Sequence, residues 1–176
     1  MRHKAFCLTA NDNAQLYVNH WSSEAPPRAI ILIAHGMAEH SQRYARFAHT
    51  LAAQGISVFA LDQRGHGQTS TLGTLGHFAD EQGWHSVVDD VCCLNHYVRV
   101  RYPTTPIVLF GHSLGSYIAI AYLMQHSCSL QGAILSGSNY FKTSLRYRAA
   151  MRLARFERWR LGPRGRSQLL NALVFY

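Results

Sequence analysis

The chain has 176 residues, of which 48% are apolar and 15% are charged. This length and composition fit a globular domain with a hydrophobic core and exclude a disordered, low-complexity protein. The net charge of +8 is unevenly placed, because residues 1–141 hold eight basic and eight acidic side chains. Residues 142–176 hold nine basic side chains and one acid, Glu157, which argues against a uniformly basic nucleic-acid-binding domain.

The cysteines and the apolar runs predict the redox state of the thiols and the cellular location of the protein. Cys92 and Cys93 are adjacent, Cys7 and Cys128 stand alone, and the sequence contains no Cys-x-x-Cys pair. We therefore expect buried, reduced thiols and neither a disulfide framework nor a zinc site. The apolar runs are far shorter than the roughly 20 residues that cross a bilayer, and the basic start does not continue as a signal peptide. The sequence predicts a cytoplasmic protein, with peripheral membrane contact as the alternative.

The predicted elements alternate between strands and helices. Residues 4–10 and 15–21 alternate in polarity around an Asn/Asp turn, which predicts an antiparallel hairpin. Residues 29–34 form a continuous apolar run, which is typical of a strand buried on both faces of a parallel sheet. Three further apolar segments predict buried strands of the same sheet, namely residues 56–61, 107–110 and 132–136. Apolar residues at helical spacing predict three intervening helices, over residues 41–54 with Ser41 as its cap, 84–102 and 117–125. The pattern predicts an α/β fold with a doubly wound, mostly parallel sheet led by an N-terminal antiparallel hairpin.

The sharpest chemical signal is the string Gly111-His112-Ser113-Leu114-Gly115. It follows an apolar strand and precedes an apolar helix, which is where a nucleophile elbow must lie. The two elbow glycines, Gly111 and Gly115, let strand and helix approach closely around a turn that lifts the Ser113 hydroxyl above the sheet edge. We therefore predict that Ser113 is a catalytic nucleophile, and a plain Gly-rich turn is the alternative.

An acyl-transfer site also requires two N–H donors directed at the oxyanion. The backbone N–H of Leu114, directly after Ser113, is one candidate. The backbone N–H of Met37, in the loop after the strand at 29–34, is the other. A simple strand-terminating turn around His35 and Gly36 is the alternative.

Three segments resemble one protein family in their order and spacing. They read HGMAEHSQRY at 35–44, DQRGHGQTS at 62–70 and GHSLG at 111–115. Together they resemble the monoglyceride lipase and lysophospholipase branch of the α/β-hydrolases, also called serine aminopeptidase-like. The resemblance implies hydrolysis of small lipid carboxylic esters through an acyl-serine intermediate, with neither cofactor nor metal. It also implies that Ser113 is the nucleophile and that Met37 and Leu114 form the oxyanion hole.

Several charged side chains in and near these motifs are interpreted as structural and not as catalytic. Glu39, His40 and Arg64 match motif positions that we interpret as loop-fixing, because charged groups in tight loops usually hold backbone. The adjacent carboxylates Asp89 and Asp90 lie at helical spacing from valines, and we interpret them as a solvated helix face.

The other two members of a catalytic triad have no counterpart. In this fold the chain order is serine, then acid, then histidine. After Ser113 the sequence contains one histidine, His126, and one acid, Glu157. His126 is expected about 20 Å along the helix from Ser113, and Glu157 lies in the basic segment rather than after a strand. We therefore expect this chain to be inactive by itself, although its family is one of carboxylic ester hydrolases.

The chain divides into two predicted parts. Residues 1–139 are interpreted as the N-terminal part of an α/β-hydrolase core, and residues 140–176 as the beginning of a basic helical cap. A truncated hydrolase fits this division, and the alternative is a non-catalytic module that at most binds a ligand or partner. The basic segment at 142–166 is interpreted as a solvated face, with contact to an anionic membrane surface as the alternative. Nucleic-acid binding lacks motif support, and the sequence carries no signal for an oligomeric state.

Overall fold

The computed structural model describes residues 1–139 and 144–175. Within those residues, six strands form one sheet, namely β1 (Arg2–Thr9), β2 (Gln15–Ser22), β3 (Ala29–Ala34), β4 (Ile56–Leu61), β5 (Ile107–His112) and β6 (Gly132–Ser136). Five α-helices accompany them, namely α1 (Ala45–Ala53), α2 (Gly83–Arg101), α3 (Leu114–His126), α4 (Leu145–Leu161) and α5 (Gln168–Phe175). Among the described residues, no helix combines the length and the hydropathy needed to cross a bilayer.

The sheet has the strand order β1-β2-β4-β3-β5-β6. β1 and β2 form an antiparallel hairpin, and β2 also pairs with β4 in the antiparallel direction. β3 lies parallel to both β4 and β5, and β6 extends the parallel part. The predicted doubly wound, mostly parallel sheet with an antiparallel edge hairpin is therefore confirmed. Ala34 pairs with both Leu61 and Gly111, so the loops that follow β3, β4 and β5 leave the sheet at one edge.

Apolar side chains cover both faces of the central strands because successive residues of a strand point to opposite sides. On one face, Ile30 and Leu32 of β3 pack in a cluster with residues of α2 and α3. On the other face, Ile31 and Ile33 pack with Ala48 of α1 and with neighbouring strands. This double burial explains why β3 reads as an unbroken apolar run.

Two local predictions are wrong. Residues Ser41–Tyr44 form a 3₁₀ turn before α1, and Ser41 does not cap a helix, because its hydroxyl donates to Asp62 Oδ1 at 2.5 Å. The cysteines are less buried than expected, since Cys7 and Cys128 are exposed and Cys92 and Cys93 are half-buried. Their burial follows from position and not from side-chain type, because Cys7 lies in the edge strand β1, Cys92 and Cys93 lie in the middle of α2, and Cys128 lies in the 3₁₀ turn after α3.

The described chain separates into two compact units, Met1–Ser138 and Asn139–Tyr176. The first, which we call the sheet unit, contains all six strands and α1 to α3. The second, the C-terminal unit, contains α4 and α5. Ser144 caps α4 by accepting from the N–H of Tyr147, and Gly162, whose φ is 79°, follows the last residue of the helix. The assignment of these units to a hydrolase core and a cap stays a prediction.

Candidate active site

Ser113 occupies the turn between a strand and a helix. β5 ends at His112 and α3 begins at Leu114. Ser113 itself has φ 49° and ψ −115°, a conformation that non-glycine residues adopt only when their surroundings enforce it. The surroundings here are β6, where Ser136 O accepts from Ser113 N at 2.8 Å, and the first turn of α3, where Ser116 N donates to Ser113 O at 2.9 Å. The strained turn is thus held from both sides.

The two elbow glycines lie where backbones approach each other. A Cβ on Gly111 would overlap the carbonyl oxygen of Gly115. A Cβ on Gly115 would overlap the carbonyl oxygen of Ala34 in β3. Glycine is required at both positions because any side chain would push α3 away from the sheet.

The loop after β3 lies beside Ser113. A Cβ built on Gly36 would be 3.3 Å from Ser113 Cβ. The Gly36 N–H is occupied, because it donates to the Glu39 carboxylate. The next N–H along this loop is that of Met37. Leu114 is the first residue of α3, and a helix provides no acceptor for its first N–H groups. The oxyanion role of Met37 and Leu114 stays a prediction.

Glu39 fixes the shape of this loop. Its Oε1 accepts from the Gly36 N–H and from the Tyr44 hydroxyl at 2.8 Å, and its Oε2 lies 3.4 Å from Arg43 Nη1. Burial opposes ionisation, but the donors from Gly36 and Tyr44 outweigh it and hold the pKa of Glu39 below its ordinary value. The loop-fixing interpretation of Glu39 agrees with these contacts.

His35 joins the loops after β3 and β4. It is fully buried; its Nδ1 lies 2.7 Å from Gly36 O, and its Nε2 accepts from Gln63 N at 3.0 Å. The Gln63 side-chain amide also donates to His35 O. Because Gly36 O must accept and Gln63 N must donate, the ring is neutral with its proton on Nδ1. Burial lowers the pKa of His35 to about 4. Both ring nitrogens are occupied, so His35 is not available as a general base.

Asp62 connects the first two sequence motifs. Its Oδ1 accepts from the Ser41 N–H at 2.7 Å and from the Ser41 hydroxyl, and its Oδ2 accepts from Gln68 N at 2.7 Å. Asn19 of β2 donates to Ser41 Oγ at 2.8 Å. The loops at 35–44 and 62–70 are therefore held against each other by one buried carboxylate. The role of Asn19 has no signal in the sequence, since it is one polar residue in an alternating strand.

Arg64 holds the loop after β4 against two other segments. Its Nε and Nη2 each lie 2.7 Å from the carboxylate of Asp90 in α2, and it also binds Asp12 in the first hairpin turn. Asp90 is 1% exposed, so its assignment to a solvated helix face is wrong. Helical spacing cannot reveal an arginine partner that is 26 residues away in the chain.

No general base lies at Ser113 in the described residues. Across 1–139 and 144–175, no hydrogen bond joins the Ser113 hydroxyl to a histidine, and His112 Nδ1 is 3.2 Å from Ser136 Oγ. His126 ends α3, about 20 Å along the helix from Ser113. Glu157 is bound by Arg160 and Ser167 within the C-terminal unit. In the same described ranges, no three metal-ligating side chains come together.

Comparison with known proteins adds family information to this geometry. The family model described as "Serine aminopeptidase, S33" matches residues 25–172. A monoacylglycerol lipase of Mycolicibacterium smegmatis is 35% identical over 117 residues, covering 66% of this chain and 40% of the lipase. The monoglyceride lipase of Homo sapiens is 33% identical over 128 residues, covering 73% of this chain and 41% of that protein. The chain thus spans about two fifths of the length of these curated relatives.

Solved structures agree with the fold. A thermostable carboxyl esterase from Bacillus coagulans superposes with a TM-score of 0.75 and 30% identity, covering 90% of this chain and 50% of the esterase. A lipase in an open form superposes with a TM-score of 0.81 and 26% identity, covering 99% of this chain and 56% of that lipase. The α/β-hydrolase fold predicted from the motifs is therefore confirmed.

Proposed function

The chain belongs to the serine aminopeptidase S33 family of α/β-hydrolases, and from that premise we propose that it carries the nucleophile and oxyanion part of a lipid ester hydrolase. The observation that supports this most directly is the strained backbone of Ser113 beside Gly36. Strain of this kind persists where the surrounding structure enforces it and is concentrated at functional sites. The monoglyceride lipases named above make a monoacylglycerol the proposed substrate class, and the resemblance of the sequence motifs to lysophospholipases adds a lysophospholipid.

In the proposed reaction the Ser113 hydroxyl oxygen attacks the ester carbonyl carbon. As the new C–O bond forms, the proton of the hydroxyl passes to a general base, and the carbonyl oxygen becomes an oxyanion that accepts from Met37 N–H and Leu114 N–H. Collapse of this tetrahedral intermediate breaks the bond to the alcohol, which leaves with the proton returned by the base. Water then hydrolyses the acyl-serine by the same steps.

The general base is the component that these residues do not bring to Ser113. His35 is locked between Gly36 and Gln63, and His126 lies at the far end of α3. A positioned base contributes roughly 10²–10⁴-fold to such a reaction. We therefore propose that the 176-residue chain alone turns over esters at close to the background rate, and that turnover requires a histidine and an acid from another segment. A non-catalytic binding module is the second candidate, which this missing base favours.

The test compares the 176-residue chain with a chimera in which it continues into the part of the Mycolicibacterium smegmatis lipase that follows the lipase position corresponding to residue 176. Both are assayed on a monoacylglycerol and a short-chain nitrophenyl ester and treated with a fluorophosphonate. We expect labelling and turnover only in the chimera, with Ser113→Ala abolishing both. A folded but unreactive chimera would support the binding module, and Ser113-dependent turnover by the short chain would refute the missing base.

A further inference from the structure

A groove lies on the outer side of α2, between this helix and the end of the first hairpin. Its volume is about 500 Å³, which falls in the range of sites that hold a small molecule. Residues 8, 9 and 11 line one side, and residues of α2 from Cys92 to Arg101 line the other, all within the sheet unit. None of the lining residues belongs to the elbow or to the loops at 35–44 and 62–70. We call this site the α2 groove.

Apolar groups line most of the α2 groove. Leu8, Cys92 and Tyr97 pack against the main core cluster, and Val100 is 64% exposed. Burial raises the pKa of the Cys92 and Cys93 thiols, so both stay protonated near neutral pH and act as small apolar groups. A ligand with an apolar body therefore gains free energy by displacing water from this surface.

One end of the α2 groove is positively charged. The Arg101 guanidinium carbon lies 3.5 Å from the centre of the Tyr97 ring, and its Nη1 donates to Tyr97 O at 3.1 Å. In the part of the chain that the structure describes, its Nε and Nη2 have no acceptor and it forms no ion pair. No acid lines the groove, and the acids of α2, Asp89 and Asp90, are about 16 Å or more from Arg101 along the helix. The guanidinium is thus held in place and keeps donors for an anion.

We propose that the α2 groove binds a medium-chain fatty carboxylate, with the carboxylate at Arg101 and the acyl chain directed along Val100 towards Cys93. The groove follows eight residues of α2 between Cys93 and Arg101, about 12 Å, which suits an acyl chain of this class. A carboxylate pairs with a guanidinium through charge-assisted hydrogen bonds. A cationic amphiphile would place its charge against Arg101, and a small inorganic anion would leave the apolar lining in water. The inference concerns a site apart from Ser113 and does not depend on the proposed catalysis.

The first measurement is the binding of decanoate to the full 176-residue chain by titration calorimetry, below the concentration at which the amphiphile aggregates. Decyltrimethylammonium, which carries the same chain and the opposite charge, is the control ligand. We expect decanoate to bind at one site and the cation to show no binding. Each buried methylene strengthens binding by about 4-fold, so octanoate, which is two methylenes shorter, should bind about 15-fold more weakly than decanoate.

Protection of thiols locates the bound fatty acid, and the chain carries its own controls. All four cysteines are free; Cys92 and Cys93 line the α2 groove, whereas Cys7 and Cys128 do not. The chain is treated with N-ethylmaleimide with and without decanoate, and mass spectrometry measures the alkylation rate at each cysteine. At a decanoate concentration ten times its Kd, we expect alkylation of Cys92 and Cys93 to slow by about 10-fold. The rates at Cys7 and Cys128 should not change.

Paired variants separate the α2 groove from net charge. Arg101→Gln removes the guanidinium and should weaken decanoate binding by about 10-fold. The charge-matched control Arg46→Gln changes an arginine of α1, on the other face of the sheet, and should change binding by less than about 2-fold. Both arginines are exposed, so neither substitution disturbs the core. Ser113→Ala should bind decanoate as the original chain does, so that failure here is distinct from failure of the catalytic proposal.

Three results would overturn the proposal. Equal binding of decanoate and decyltrimethylammonium would remove the role of Arg101. Equal protection of all four cysteines would show that decanoate coats the surface and does not occupy one groove. Binding that leaves Cys92 and Cys93 unprotected and is lost in Ser113→Ala would place the fatty acid at the elbow.

Discussion

Acidification should destabilise the sheet unit through His35. Protonation would turn its Nε2 from an acceptor into a donor facing the N–H of Gln63, now 3.0 Å away, and would place a charge on a fully buried ring. The substitution His35→Gln offers an amide oxygen in place of the ring nitrogen and does not titrate. We therefore compare how the unfolding free energy changes as the pH falls in the original chain and in His35→Gln.

The magnitude follows from the pKa of the ring. Burial moves the pKa of His35 from 6.5 to about 4. The unfolded chain then binds a proton that the folded chain does not, so stability is complete above about pH 6.5 and falls progressively as the pH drops to about 4. The full effect is roughly 3 kcal/mol of unfolding free energy. His20 contributes in the same direction because burial also lowers its pKa to about 4.

The assay is urea unfolding of the sheet unit within the full chain at several pH values from about 7.5 to 4.5. Trp21 is the probe, in a background where Trp84 and Trp159 are phenylalanine. His20 titrates in both proteins, so its contribution cancels in the difference between the chain and His35→Gln. Between pH 7.5 and 4.5 we expect the fall in unfolding free energy to be smaller in His35→Gln by about 2 to 3 kcal/mol, and unchanged in the exposed control His49→Gln. Parallel pH profiles for His35→Gln and the original chain would refute the buried neutral ring.

Three further outcomes test the elbow and the C-terminal unit. Ser113→Gly should raise the unfolding free energy by about 1 kcal/mol, because glycine adopts a positive φ without strain. Ser113→Ala keeps the Cβ atom and should not raise it. Urea titration of both variants measures the difference. Gly115→Ala should lower the unfolding free energy by more than about 3 kcal/mol, because the added Cβ would overlap the backbone of β3. An unchanged melting temperature in calorimetry would contradict this contact. Arg160 and Ser167 hold the pKa of Glu157 at about 2, so α4 and α5 should lose stability as the pH falls from about 4.5 towards 2. The loss of helical circular dichroism over this range should be smaller in Glu157→Gln than in the original chain, because acid affects the helices of the sheet unit equally in both.

The sheet could be predicted because its signals are local. β3 is covered on both faces, so its sequence is an unbroken apolar run that differs from any helical pattern, and β4 departs from such a run only at the buried Ser57. The elbow was predictable for a related reason: the overlaps at Gly111 and Gly115 exclude every side chain, and this requirement leaves a fixed spacing around Ser113.

The remaining contacts depend on partners that are distant in the chain. Asp90 has the spacing of a solvated residue but is buried against Arg64, and Ser41 resembles a helix cap but binds Asp62. In each case a tertiary partner decides the role of a polar side chain, and no local pattern encodes that partner. The neutral state of His35 is of the same kind, because it follows from Gln63 on the neighbouring loop.

The hydrogen bond from Ser113 N to Ser136 O has a consequence for how the elbow exchanges with solvent. β6 is the last strand in the sheet order, and its Ile134 and Leu135 are 48% and 41% exposed. A terminal strand opens more readily than central strands, and hydrogen–deuterium exchange measures such openings residue by residue. The amide of Ser113 is therefore protected only while β6 stays docked, although the residue lies beside the most buried part of the sheet. Its exchange rate therefore reports how readily β6 separates from the backbone of the elbow.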